Sequence, residues 1–495
     1  MAQLKRRQFL KNTIVSGLGA SLMAPELQAK ESLDQQSVEP ETRYAPQSGK
    51  SKRVIVAGAG IAGLCCAYEL MKLGHEVTVL EASGRHGGHV FTIRDGLSDG
   101  LYADGGAELF TKPGYERYWE YTREFNLPVL PYPCRHDMLR HVNDKFFTDD
   151  QLRDPQILKS FGLNDKEVKH MSQPGYTWWD LKYLYMQPYL DKFKDEYQPF
   201  GIGYDHLDTT PIAEIYKKEG ASPAALRHLG GEKSSALQEL WGAAILKKRG
   251  IKAIPTDVYR LKGGNQGLPD AFAKRLGARI KLNCPIRSIR NEKDHVAVTY
   301  RQFGEDKEIK ADFLANCIPL PVFRKIPVTP AFSPEKQYVI DNVQYDTYAH
   351  FIFQASSKFW IDDGFKTINM QFGHPDIYEI WQMAEEVDTH RVVLLATGPG
   401  GVSPERALAG FRAAYPGKKD TIEQALVKDW TRDPFAPNCE RLRHYPMGEL
   451  KKFWPLIMEP AGRIHFAGSY ADNLNWGQEA ATRSANRVAK EIDMA

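Results

Sequence analysis

Gly58, Gly60 and Gly63 stand in the stretch VIVAGAGIAGL with the spacing G-x-G-x-x-G. Such a turn can bring backbone close to a phosphate. The first glycine permits the tight turn, the second lets the phosphate approach, and the third lets helix and strand pack. Ile61 and Ala62 then open a helix whose N-terminal N–H groups attract an anion. The residues before the turn, KRVIVA, read as a buried parallel strand. A second strand, HEVTVL, ends at Glu81, close to the spacing at which a carboxylate accepts hydrogen bonds from a ribose 2′-hydroxyl. An acid there disfavours a 2′-phosphate, so the chemistry points to an adenosine diphosphate of the FAD or NAD type. The competing reading is a glycine-rich turn in some other α/β domain.

The residues after Glu81 decide between the two dinucleotides. A nicotinamide-binding domain continues directly into its next helix, whereas here a second basic, glycine-rich loop, ASGRHGGHVFT, follows at once. That favours FAD. The segment resembles the E-A-x-x-R-x-G-G-R stretch of the flavin-dependent amine oxidase family, which Glu81, Ala82, Arg85, Gly87 and Gly88 match. His89 stands where the family has its second arginine, leaving that phosphate contact to an imidazole.

The resemblance runs through most of residues 52 to 492. YADGGAELF is similar to the family's glycine pair against the flavin ring and implies cofactor contacts at Gly105, Gly106, Ala107 and Glu108. The segment from Tyr259 to Ile289 implies a second FAD contact, with Ile286 near the adenine. GRIHFAGSYADNLNWGQEAAT resembles the last strand and helix of the family. It implies Gly468, Ser469, Trp476, Gln478, Glu479 and Ala480 beside the flavin. The fold implied is α/β, with a Rossmann-like FAD-binding domain built from discontinuous segments, a mixed-sheet substrate domain and a helical subdomain.

The resemblance also implies the reaction: an amine is oxidised to an imine, water hydrolyses the imine to a carbonyl compound, and dioxygen becomes hydrogen peroxide. The cofactor carries the hard step, so no catalytic triad is expected and none is found. No nucleophile elbow or metal-ligand spacing occurs either. In NCIPLPVFRKI, Lys325 falls on the lysine that monoamine oxidases hold near the flavin. A demethylase-like alignment selects Arg324 instead. Phe453, with Trp454 beside it, and Trp476 are the expected aromatic walls. Gly477 stands where a second aromatic belongs, so the site is not a faithful copy. Glu108 occupies the place at which L-amino-acid oxidases commonly put an arginine for the substrate carboxylate. A carboxylate there favours a cationic amine, while Arg135 in YPCRHDM could serve an amino acid. The reading is therefore an amine oxidase, with L-amino-acid oxidase as the near alternative. A C–C desaturase of the carotenoid-desaturase type is the remote one, opposed by the NWGQEAAT end.

Composition is that of a globular chain: 495 residues, 42% hydrophobic and 26% charged, long enough for two or three domains. With 65 basic and 62 acidic residues there is no electrostatic case for nucleic acid. No run approaches the roughly 18 apolar residues of a membrane span. The expected partners are a small amine or amino acid and dioxygen, and a homodimer is compatible with the sequence. Residues 1 to 29 resemble a twin-arginine export signal, with Arg6 and Arg7 before Phe9, Leu10 and Lys11, although Lys5 departs from the usual Ser or Thr. This implies a periplasmic or secreted protein. Residues 30 to 51 read as a polar linker. FAD-binding segments are expected at 52–112, 258–294 and 456–495, a helical and substrate domain at 113–257, and a substrate domain at 295–455. The aromatic stretch TWWDLKYLYMQPYL is expected to be core rather than a substrate route. The six cysteines lack ligand spacing and are expected as mostly free, buried thiols.

Overall fold

The computed structural model describes residues 49–252, 254–437, 445–474 and 476–495. The export signal and most of the linker lie outside these residues.

A five-stranded sheet carries the glycine turn. Its order is Ile280–Lys281, Glu76–Leu80, Arg53–Ala57, Phe313–Asn316 and Ile464–Phe466, and every neighbouring pair is parallel. Strands far apart in sequence therefore build one sheet, as a discontinuous Rossmann-like fold requires. Parallel strands covered on both faces read as unbroken apolar runs rather than alternating ones, and Val54 to Ala57 are all at most 1% exposed. Helix Ile61–Lys72 packs on this sheet with ten of its twelve residues buried. Helix Gly477–Met494 lies against it and buries Ala481, Ala485, Val488, Ala489 and Ile492, a spacing that places one apolar stripe on one face.

A seven-stranded sheet forms the second framework. Its order is Ile422–Asp429, Tyr348–Ala355, Val392–Pro399, Ile377–Met383, Met370–His374, Leu139–Val142 and Lys145–Thr148. All of its pairs are antiparallel except Met370–His374 with Leu139–Val142. Between residues 155 and 248 the chain is largely helical. There Trp178, Leu181, Tyr185, Met186, Tyr189 and Leu190 are buried in a common core, so the aromatic stretch is packing, as expected. Five cysteines, Cys65, Cys66, Cys134, Cys284 and Cys317, are free and buried.

Candidate active site

The three glycines of the turn are glycines for three different reasons. Gly58 has φ +95°, a left-handed conformation that side chains disfavour, and its N–H donates to Leu80 O at 2.8 Å. At Gly63 a Cβ would stand 1.9 Å from Gly58 O, so helix and turn leave no room. Gly60 has an ordinary φ of −67°, and a Cβ there would meet nothing nearer than Gly88 Cα at 3.9 Å. Neither backbone strain nor protein packing calls for glycine at 60. Its missing side chain faces a cavity, which is where a ligand would pass.

That cavity measures about 1010 Å³. It stands at the top of the range ligand pockets reach, with room for a dinucleotide and a second small molecule. Gly58, Gly60, Ile61 and Ala62 line it at the turn, followed by Glu81, Ala82, Arg85, Gly88 and His89. Glu81 accepts from Ala59 N at 2.7 Å through Oε2, and from Ser83 N and Ser83 Oγ at 2.8 Å through Oε1. A carboxylate offers about four acceptor positions, so Oε2 keeps one for a ribose hydroxyl. The N-terminus of helix Gly477–Met494 also reaches the cavity through Gly477, Gln478 and Ala481, with Gln478 Oε1 buried and without a partner among the described residues. Two helix N-termini fit the anionic part of a dinucleotide, and the orphaned acceptor fits one of its N–H or O–H donors. His89 is sealed against Trp430, with ring centroids 4.3 Å apart, and its Nε2 lies 3.1 Å from Ala436 O. Burial holds its imidazole down at about 4, so it is neutral at pH 7.

Gly106, Ala107, Glu108, Ile286, Lys325, Gly468 and Ser469 line the same cavity, as does Arg135. Lys325 is an exposed side chain at its edge, whereas Arg324 turns away and donates to Leu320 O and Val343 O. Gly63, Gly87, Gly105 and Ala480 lie behind the lining. Gly87 and Gly105 shape the loops: a Cβ would come within 2.7 Å of Val90 O at the first and 2.6 Å of Ile93 Cδ1 at the second.

Besides these four, three more of the expected site residues do not reach the cavity. Phe453 is wholly buried and stacks on Tyr445 with centroids 4.7 Å apart, because the short helix Leu450–Phe453 turns its apolar face into the core. Trp476 packs behind Tyr115, 5.9 Å between centroids, and it is Tyr115 that faces the cavity. Glu479 is spent on structure, its oxygens accepting from Arg117 N at 3.1 Å and Tyr118 N at 3.0 Å, and burial pushes it up to about 7. The aromatic walls are instead Tyr115, Tyr345, Tyr348, Phe435 and Tyr470.

The seven-stranded sheet adds polar groups that sequence reasoning missed. Glu379, Thr397 and His350 are direct neighbours across three strands, and all three line the cavity. His350 Nδ1 and Thr397 Oγ1 are buried without a partner among the described residues. Burial and the neighbouring His89 hold the His350 imidazole down at about 4. The Glu108 carboxyl is pushed well above its usual range, first by burial and then by Glu379, with Arg135 pulling the other way. Glu379 is raised by burial and lowered by Arg135. The signal in the sequence was a polar residue inside a largely apolar strand, YAHFIFQ for His350, IYEIWQM for Glu379 and VVLLATG for Thr397.

A parallel sheet whose glycine-rich turn opens into one cavity with a polar wall fits a cofactor-dependent oxidoreductase. The chain belongs to the flavin containing amine oxidoreductase family, whose profile matches residues 61–493. It is similar to the L-amino-acid oxidase of Vipera ammodytes ammodytes, 25% identical over 480 residues that cover 91% of this chain and 94% of the relative. The L-amino-acid oxidase of Protobothrops flavoviridis is 26% identical over 474 residues, 91% of this chain and 90% of the relative. Among solved structures, the fold is similar to a triple mutant of putrescine oxidase (TM-score 0.74, 18% identity, 89% of this chain and 98% of that one). It is likewise similar to cyclohexylamine oxidase from Brevibacterium oxydans IH-35A (TM-score 0.71, 20% identity, 90% and 99%). The protein is a flavin-dependent enzyme that oxidises an amine nitrogen–carbon bond.

Proposed function

We propose that the flavin is FAD and that the enzyme is an exported oxidase. The observation that carries this reading is the continuity of one cavity from Gly60 and Glu81 to Glu108, Arg135 and His350. When bound, the flavin supplies the acceptor for two electrons from the carbon beside the amine, and dioxygen takes them on as hydrogen peroxide. The chain's own residues do the rest. Glu81 holds the ribose, the two helix N-termini face the anionic and electron-rich parts of the cofactor, and the tyrosine walls exclude water. Neutral His89 and His350 keep the interior from adding positive charge. Lys325 is the cation assigned to the reduced flavin's negative charge, which a nearby ammonium stabilises. Glu108 attracts a cationic amine.

A second reading, an amino acid rather than a simple amine, is favoured by Arg135, which places a guanidinium in the same cavity. Export is supported by Arg6 and Arg7 ahead of an apolar run, and no helix among the described residues is long and apolar enough to cross a membrane. Peroxide release from the FAD-loaded protein on a mixed panel of amines and amino acids tests the reading. Peroxide with at least one of them is expected; release with none opposes it.

A further inference from the structure

Glu108, Arg135 and Glu379 come from three separate parts of the chain: the loop after the glycine pair, the turn after Val129–Pro131, and the central sheet. They meet at one cavity, where Glu379 acts on Glu108 and Arg135 acts on both. Yet no hydrogen bond or ion pair joins any two of them among the described residues. The guanidinium donates to Pro255 O at 3.0 Å through Nη1, leaving its other N–H groups available, and Glu108 Oε2 is buried with no partner. A buried acceptor without a partner, as at Glu108 Oε2, is costly, and such a site is completed by what binds to it.

The complement of carboxylate, guanidinium and carboxylate is cation, anion and cation. A diamine would answer both glutamates but leave Arg135 beside added positive charge. A neutral amino acid would answer Arg135 and one glutamate only. From this geometry we infer that the substrate is an α-amino acid with a cationic side chain: its carboxylate on Arg135, its α-amino group beside Glu108 near the flavin-facing loop, and its distal cation on Glu379. Burial raises both carboxyls, and a cation bound beside each favours its ionised form; with both ionised, the charge of −1 on these three groups is cancelled by such a substrate's +1. The inference rests on the oxidase reading for turnover. The bond changes are those of that reading: the α-carbon loses its hydrogen with two electrons, the nitrogen loses a proton, and dioxygen becomes hydrogen peroxide. Water then replaces nitrogen, giving a 2-oxo acid and ammonia.

The test measures kcat/KM for peroxide release by the FAD-loaded enzyme with L-arginine, L-leucine and agmatine, the decarboxylated form of arginine. L-Arginine should exceed each of the others at least tenfold. Glu379→Gln should cut the arginine-to-leucine ratio at least tenfold, and Arg135→Gln should cut the arginine-to-agmatine ratio comparably. A wild-type preference for agmatine or leucine, or ratios unmoved by both variants, overturns the assignment. Should Glu379→Gln fail to fold, Arg135→Gln and the wild-type order still decide. Calorimetric Kd values of the same three compounds separate the two readings. The predicted order in binding without peroxide from any of them would reject the oxidase and keep the site, whereas equal affinities would reject the site.

Discussion

Gly60 and Gly88 face each other across the dinucleotide turn without filling the space beside it. A Cβ at Gly60 would lie 3.9 Å from Gly88 Cα, an ordinary contact, whereas a Cβ at Gly88 would lie 3.0 Å from Gly60 Cα on a backbone with φ +58°. The two glycines should therefore fail differently. Gly60→Val is expected to yield folded protein that lacks the yellow flavin spectrum. Gly88→Ala is expected to lower the melting temperature as well, because both backbone and packing resist it. Full flavin occupancy in purified Gly60→Val would show that this turn serves packing alone.

His350 links the cavity to pH. Its imidazole titrates at about 4 when folded, against about 6.5 in an unfolded chain. The folded state thus binds fewer protons in that window, so the stability it contributes is complete above pH 6.5 and is lost as pH falls towards 4. For this one group the loss between pH 7 and pH 5 is about 2 kcal/mol. His350→Gln should flatten the difference between urea unfolding free energies at those two pH values. An unchanged pH slope in the variant would place the titration elsewhere.

Lys325 and its neighbour Arg324 offer a matched comparison. The first edges the cavity, and the second is tied to Leu320 O and Val343 O. Lys325→Met is expected to slow flavin reoxidation by dioxygen at least tenfold in stopped flow while leaving the melting temperature near wild type. Arg324→Met should do the reverse. Equal reoxidation rates in the Lys325 variant and the wild type would remove the lysine from the reaction.

The export reading rests on residues outside those the structure describes. Replacing Arg6 and Arg7 by lysine together should leave the product in the cytoplasm of a bacterial host. Normal periplasmic yield from the doubly substituted chain would reject it.

Much of this was legible in the sequence because some residues are constrained locally. Gly58, Gly63 and Glu81 belong to one βαβ unit whose backbone fixes their roles within about thirty positions of one another, so the unit can be recognised from spacing. Even there the reasons differ, and only the structure separates the conformational need at Gly58 from the open space at Gly60. The substrate wall was read less well. Position along the chain points to Phe453 and Trp476, but a short helix turns Phe453 into the core against Tyr445, and Trp476 packs behind the surface that Tyr115 presents. Glu479 reads as a cofactor contact but is consumed by two backbone N–H groups of Arg117 and Tyr118. Glu379, Thr397 and His350 become neighbours only through strand register, a long-range relation that periodicity does not encode.

The central claim is that this chain moves electrons from an amine to dioxygen through a flavin held in the described cavity. Anaerobic mixing of the FAD-loaded protein with the panel of amines and amino acids, followed by admission of air, tests it most directly. The account predicts that at least one compound bleaches the flavin, and that air restores the color with one hydrogen peroxide per flavin. Flavin that stays bound and oxidised with every amine and amino acid would contradict it.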